Sequence, residues 1–242
     1  MGGINKIGII GANEIATKIE ELLSKAGLEV VLEEKCYTEE LSDADVIIEA
    51  LPAGLQSRKE ILRTCGEQTP SHVLLATTAL GGITEIAAVA GRPDRTAGLN
   101  FTFNPFEEKC LIQIVRGLET SAETIEACQS LADKTGATSI IVEDVSGLIL
   151  ERTMASVINE ATTMYLAKVS TIEGIDNVTK LCLNWPMGPF EFADYIGIDN
   201  VLATLEAAAQ DGSQYLPCRL LRQMAVTGRL GRKTGKGFYT YS

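Results

Sequence analysis

The residues with the clearest chemical spacing lie near the start of the chain. Gly8-Ile9-Ile10-Gly11-Ala12-Asn13-Glu14-Ile15-Ala16 ends a short apolar run and opens a helical pattern. A loop that carries a dinucleotide pyrophosphate needs glycine first for the tight turn and glycine second so that backbone can approach the phosphates. Its third position needs a small residue for helix–strand packing. Counted from Gly11, those positions are Gly11, Asn13 and Ala16. The third is an accepted variant. The second carries a side chain that projects toward the pyrophosphate, although Asn tolerates unusual φ. Glu14 adds negative charge where phosphates would meet a helix N-terminus, and Ile15 follows in the first turn. The stretch therefore reads either as an altered nucleotide loop or as an ordinary βα turn.

Glu34 closes the next strand-like run, about 20 residues on, where an acid would hold an adenosine ribose 2′-OH and disfavour NADP. The alternative is a solvated acid in a charged loop. His72 is the single histidine. It precedes Val73-Leu74-Leu75 at the amino end of a strand, whereas α/β sites gather at carboxyl ends, so it reads as structural or solvent-exposed. With one histidine and no cysteine cluster, no metal site is expected.

The elements that must position these groups alternate. Residues 5–11, 28–32, 45–50, 72–77, 96–101, 111–115 and 139–142 are short apolar runs that predict strands. Helical spacing appears between them at Ile15, Ile19, Leu22 and Leu23, at Leu55, Ile61 and Leu62, over 83–89 and over 121–134, and Gly27 stops the first of these helices. The alternation predicts an α/β fold, a parallel Rossmann-like sheet with helices on both faces. Near Gly147 the pattern changes. Leu150, Met154, Val157, Ile158, Ala161, Met164, Tyr165 and Val169 mark one long amphipathic helix, and more helices follow, punctuated by Pro186, Gly188-Pro189 and Gly197. Two domains are expected, 1–146 and 147–242, the second all-helical.

Composition narrows the class. A chain of 242 residues has room for one large domain or two modest ones. Its net charge of −11 argues against a nucleic-acid backbone or an anionic membrane as main partner. No apolar run approaches the roughly 18 residues of a membrane span. Met1-Gly2-Gly3 leads directly into a strand-like run, so no secretory leader is expected. Cys36, Cys65, Cys110, Cys128, Cys182 and Cys218 show no C-x-x-C spacing and read as reduced packing thiols of a cytoplasmic protein.

Longer segments carry a family resemblance. Ala44-Asp45-Val46-Ile47-Ile48-Glu49-Ala50, Ile83-Thr84-Glu85-Ile86-Ala87, Gly98-Leu99, Phe103-Asn104-Pro105 and Asp144-Val145-Ser146-Gly147 stand in the first half. Asn159-Glu160-Ala161, Ile175-Asp176, Pro186-Met187-Gly188-Pro189-Phe190-Glu191, Ala193-Asp194 and the run from Gly228 to Tyr239 stand in the second. In this order they resemble the 3-hydroxyacyl-CoA dehydrogenases, and among them the 3-hydroxybutyryl-CoA dehydrogenases. The resemblance implies an NAD domain followed by a helical dimerisation domain, in an oxidoreductase of acyl-CoA and fatty-acid metabolism. It also implies an acyl-CoA-like ligand, and cofactor contacts at Gly11, Asn13, Ile15, Glu34, Asn104 and Lys233.

The same resemblance marks departures at the catalytic positions. Ala79 replaces the serine that hydrogen-bonds substrate. Asn100 or Phe101 stands at the catalytic histidine, a one-residue insertion leaving both open. Gln113 stands at the glutamate that orients this histidine, and Glu151 at a substrate-contacting asparagine. Ala53 and Arg58 replace an acid and a lysine near the cofactor. The connection from Glu34 to Asp45 is several tens of residues shorter, which removes a helical hairpin that helps to bind CoA. Two functions follow as expectations. One is an NAD-linked oxidoreductase with a rearranged site, for which Glu151 is a replacement base. The other is a non-catalytic homologue that binds nucleotide or acyl-CoA, as a homodimer or as a partner of an active dehydrogenase.

Overall fold

A computed structural model describes residues 3–34, 37–52, 54–104, 109–210 and 212–241. Cys36, Ala53 and Pro105, singled out above, lie outside the described residues. The chain forms two compact units, 1–145 and 146–242.

The first unit is built on strands β1 (Lys6–Ile10), β2 (Glu29–Glu33), β3 (Val46–Glu49), β4 (Leu74–Thr77), β5 (Thr96–Phe103), β6 (Cys110–Arg116) and β7 (Thr138–Glu143). They form one sheet in the order β2-β1-β3-β4-β5-β6-β7. Helices α1 (Glu14–Lys25), α2 (Leu55–Gln68), α3 (Ile83–Ala90) and α4 (Ala122–Thr135) connect them. Ile7, Ile9, Val46, Ile48, Leu74 and Ala76 are buried in one core with Ala16, Ile19 and Leu23 of α1 and Ile125, Cys128 and Leu131 of α4. Strands covered on both faces need continuous apolar runs rather than alternation, which is why β1, β3 and β4 read as they do. Ile15 departs from the expected helical face: it is 40% exposed, and Ala16 takes its place in the core.

The sheet is not wholly parallel. β5 and β6 pair antiparallel, while every other described pair is parallel. Only residues 104–109 separate these two strands. A parallel crossover needs about a dozen residues or more, so a connection this short returns the chain in the opposite direction.

The second unit, among its described residues, consists of α5 (Leu150–Leu166), α6 (Ile172–Leu183), α7 (Pro189–Ile196), α8 (Ile198–Ala208) and α9 (Arg219–Val226) with short 3₁₀ turns. Its core gathers Ala155, Ile158, Phe190, Ala193, Val201, Leu205, Leu221 and Phe238. The Phe190 and Phe238 rings lie 4.4 Å apart between centroids. Two buried carboxylates tie the C-terminal segment to α7. Asp176 accepts from the amides of Phe190 and Glu191 and from the Tyr239 hydroxyl, at 2.8, 3.1 and 2.7 Å. Asp194 accepts from the amides of Phe238 and Tyr239 and from the Tyr241 hydroxyl, at 2.9, 2.8 and 3.0 Å. Burial raises the Asp176 pKa against these bonds and pushes Tyr239 well up; Tyr241 is pushed up to about 12, by burial first and then by Asp194. Gly237 faces Asp194 so closely that a Cβ there would overlap the carboxylate.

Candidate functional site

The turn between β1 and α1 meets two of the three demands of a dinucleotide loop. A Cβ on Gly11 would lie 2.7 Å from the Ala50 carbonyl oxygen, so only glycine lets the ends of β1 and β3 approach this closely. The Gly11 amide donates to the Glu33 carbonyl at 2.7 Å. Ala16 at the third position is fully buried against this turn.

The second position behaves differently. Asn13 is the N-cap of α1 in extended backbone, and its Oδ1 accepts from the amides of Ile15 and Ala16 at 2.9 and 3.0 Å. Its Nδ2 donates to the Ala50 carbonyl at 2.5 Å. The first amides of a helix have no intrahelical partner and make a ready anion site; here one side chain satisfies two of them. Glu14, next in sequence, pairs with Lys18 at 2.6 Å, and that hydrogen bond lowers its pKa, so it stays anionic. Glu34 follows β2 directly and is exposed. Asn104, also exposed, donates its backbone amide to the Lys109 carbonyl at 2.9 Å.

At the carboxyl end of β4 and along β5 and β6 lies a second polar cluster. The register places Asn100 directly opposite Gln113 and Phe101 opposite Ile112. Strand side chains alternate between faces, so only one of the two candidates can face Gln113. It is Asn100. Phe101 points into the apolar core and stacks on Phe103 at 6.4 Å between centroids. Gln113 is fully buried and its Nε2 donates to Asn100 Oδ1 at 3.4 Å. Asn100 Nδ2 donates to the Thr78 carbonyl at 3.4 Å, and the Thr102 hydroxyl donates to Asn100 Oδ1 at 3.3 Å. These are long bonds, near the limit at which geometry still counts. Ala79, buried beside them, donates its amide to Thr77 Oγ1 at 3.1 Å. The structure thus brings together Ala79, Asn100 and Gln113, and no side chain of the three exchanges protons near neutrality.

Next to this cluster lies a buried ion pair that sequence reading passed over. Glu49, fully buried at the end of β3, accepts from Arg58 Nη1 and from the Thr77 hydroxyl, both at 2.6 Å, and from the Leu51 amide at 2.7 Å. Arg58 also donates to the Leu51 carbonyl at 2.6 Å and to the hydroxyls of Thr77 and Thr78 at 3.3 and 3.2 Å. The signal was available: a Glu inside the apolar run Val46-Ile47-Ile48-Glu49 can stay buried only with a partner.

Glu151 and Lys233 belong to the second unit. Glu151 is half-buried in the first turn of α5, beside Arg152, whose guanidinium lies 4.3 Å over the Tyr215 ring. Lys233 pairs with Asp199 at 2.5 Å within the same unit.

Comparison with known proteins agrees with this architecture. Residues 35–145 match the model of the 3-hydroxyacyl-CoA dehydrogenase NAD binding domain, and residues 147–241 that of the 3-hydroxyacyl-CoA dehydrogenase C-terminal domain. A probable 3-hydroxybutyryl-CoA dehydrogenase of Bacillus subtilis is 38% identical over 228 residues, covering 93% of this chain and 77% of the relative. The 3-hydroxybutyryl-CoA dehydrogenase of Bradyrhizobium diazoefficiens is 31% identical, with 98% and 96% covered. The crystal structure of (S)-3-hydroxybutyryl-CoA dehydrogenase from Ralstonia eutropha superposes with a TM-score of 0.93 at 29% identity, covering 99% of this chain and all of that one. A two-unit dehydrogenase fold of this kind defines the class. The chain belongs to the 3-hydroxyacyl-CoA dehydrogenase family of oxidoreductases, and its first unit is that family's NAD domain.

NAD is the cofactor of this domain type. Gly11 and Ala16 fit it, and Glu34 is an exposed acid directly after β2. The pyrophosphate seat does not fit as it stands, because Asn13 already holds the amides of Ile15 and Ala16.

Proposed function

We propose that this chain is a binding homologue of the hydroxyacyl-CoA dehydrogenases that retains the scaffold without the proton path. By itself it oxidises 3-hydroxyacyl-CoA poorly or not at all. The observation that carries this reading is the Asn100–Gln113 pair, two amides facing each other across β5 and β6. Oxidising a secondary alcohol needs a hydride acceptor, which a nicotinamide supplies, and a base that takes the hydroxyl proton. Histidine suits the second task because it titrates near neutrality, and a carboxylate fixes its tautomer. Amides keep a hydrogen-bond frame of similar shape and cannot accept that proton. Ala79 in addition presents no hydroxyl to a substrate carbonyl.

The same reading assigns an acyl-CoA-like ligand and cytoplasmic residence to the chain. The five described cysteines are free thiols, as in a reducing compartment. No described helix is long and apolar enough to cross a membrane. The reading also assigns a second copy of this chain to the helical unit. Val178, Leu181 and Leu183 of α6 are 61, 84 and 59% exposed, an apolar surface of the kind that partners cover.

A second reading keeps the chain catalytic, with Glu151 as base. It is favoured by the Glu151 carboxylate, half-buried in the first turn of α5 where the resemblance places an asparagine. Titration of the purified protein with NADH and with acetoacetyl-CoA, followed by fluorescence or calorimetry, tests the binding reading. Saturable binding of either ligand is expected. If neither binds at millimolar concentration, the scaffold is not a binding homologue of this kind.

A further inference from the structure

We propose that the Asn13 carboxamide is a built-in competitor of the dinucleotide pyrophosphate. It holds the α1 amides in the ligand-free chain and has to leave them before the phosphates can be seated. The proposal concerns the cofactor seat alone and stands whether or not the amide pair of β5 and β6 is catalytically silent.

The argument starts from what the side chain touches. Both ends of the Asn13 carboxamide are committed, Oδ1 to the amides of Ile15 and Ala16 and Nδ2 to the Ala50 carbonyl. It therefore bridges the start of α1 to the end of β3, across the close approach that Gly11 makes possible. Donors at the amino end of a helix are the groups by which a Rossmann-type loop holds pyrophosphate. A glycine at this position would leave them exposed. Here the phosphate oxygens and one carboxamide oxygen claim the same N–H groups.

The side chain is half-buried and Ala12 beside it is exposed, so the carboxamide can swing toward solvent without displacing core residues. Swinging breaks three hydrogen bonds, and the incoming phosphates restore those to Ile15 and Ala16 while leaving the Ala50 carbonyl without its donor. Dinucleotide binding is weakened by this difference. Glu14 works in the same direction, since its carboxylate, paired with Lys18, stands at the same helix end. Asn13 thus lowers affinity for NAD through contacts that the swing of one side chain releases.

The test is titration of the full-length wild type and of N13G, N13A and N13D with NADH and with ADP-ribose by calorimetry. Thermal melts and the ¹⁵N amide signals of Ile15 and Ala16 are recorded on the same samples. N13G should bind both ligands about tenfold tighter than wild type and melt only slightly lower, because glycine caps a helix almost as well as asparagine but leaves the Ala50 carbonyl without its donor. N13A should also bind more tightly while melting lower, which separates the effect on ligand from the effect on the helix. N13D should bind more weakly than wild type, although aspartate is an equally good cap. In N13G the Ile15 and Ala16 amide signals should move when ADP-ribose is added. Equal or weaker binding by N13G overturns the proposal. So does the absence of saturable binding in both wild type and N13G, since Asn13 would then not be what limits affinity.

Discussion

Replacing Arg58 by methionine tests the ion pair beside the candidate site. Glu49 has no exposure and the Arg58 side chain only 13%. Removing the guanidinium leaves a carboxylate buried with the Thr77 hydroxyl and the Leu51 amide as remaining partners. Breaking a buried pair from one side costs about 3–5 kcal/mol. The two surviving hydrogen bonds place this case at the lower end, about 3 kcal/mol. For a unit of this size that lowers the melting temperature by roughly 6–12 °C. Removing both charges in E49Q/R58M should restore most of the loss, because the carboxamide that replaces the Glu49 carboxylate can accept from the Leu51 amide through its oxygen while its NH₂ donates to the Thr77 hydroxyl. The coupling energy from the double-mutant cycle should be at least about 2 kcal/mol. The assay is urea denaturation of the four proteins followed by circular dichroism. A cost below about 1 kcal/mol for R58M, or a double variant that loses the sum of the singles, refutes the reasoning.

Further outcomes are expected elsewhere. Arg92, buried, donates to Thr69 Oγ1 at 2.9 Å, to the Pro70 carbonyl at 2.8 Å and to the carbonyls of Gly66 and Thr69, clamping the end of α2. R92M should cost about 2–4 kcal/mol in urea denaturation, and R92K should restore little because lysine lacks the planar fork. The Cys65 and Cys128 thiols are pushed up to about 12 by burial, so at pH 7 they hold almost no thiolate, whereas Cys182 is exposed. Cys65 and Cys128 should react with a maleimide only after unfolding, whereas Cys182, on the α6 face of Val178 and Leu181, should react without unfolding once the helical unit is monomeric, as read by peptide mass mapping. L181E on α6 should convert a dimer to a monomer in light scattering; a wild type that is monomeric at tens of micromolar contradicts the assigned second copy. N100H/Q113E/A79S should recover little oxidation of 3-hydroxybutyryl-CoA. An imidazole introduced at Asn100 has to be placed closely, since about 1 Å of error can cost 10²-fold. High activity in that variant would mean that only the proton path had been lost.

The strands and helices were legible where burial imposes a pattern. β1, β3 and β4 are nearly unbroken apolar runs because both faces are covered, and α5 shows its buried Ala155, Ile158 and Ala161 at helical spacing. The reversed direction of β6 was missed, although the short connection at 104–109 contains the reason. The candidate site was legible as residue types and not as geometry. Spacing left Asn100 and Phe101 open, and only the pairing register shows which faces Gln113. Asn13 was visible as an obstacle in the loop, but its hold on Ile15, Ala16 and Ala50 depends on the approach of β3, which no local pattern encodes. Arg58 stood out as a substitution near the cofactor loop, and its partner is a strand residue nine positions earlier that lies inside the sheet.

The claim that the amide pair cannot move the substrate proton is tested most directly by turnover of the wild-type chain. NADH formation from NAD and 3-hydroxybutyryl-CoA should be followed from pH 6 to 9, about the range over which a catalytic histidine titrates. The Bacillus subtilis relative, measured in parallel, serves as the reference. Loss of a general base typically removes 10²–10⁴-fold in rate, so kcat/KM should lie at least about 10²-fold below the reference with no titration near neutrality. A value within about tenfold of the reference, with an ionisation in that range, would contradict the account and point to Glu151 as base.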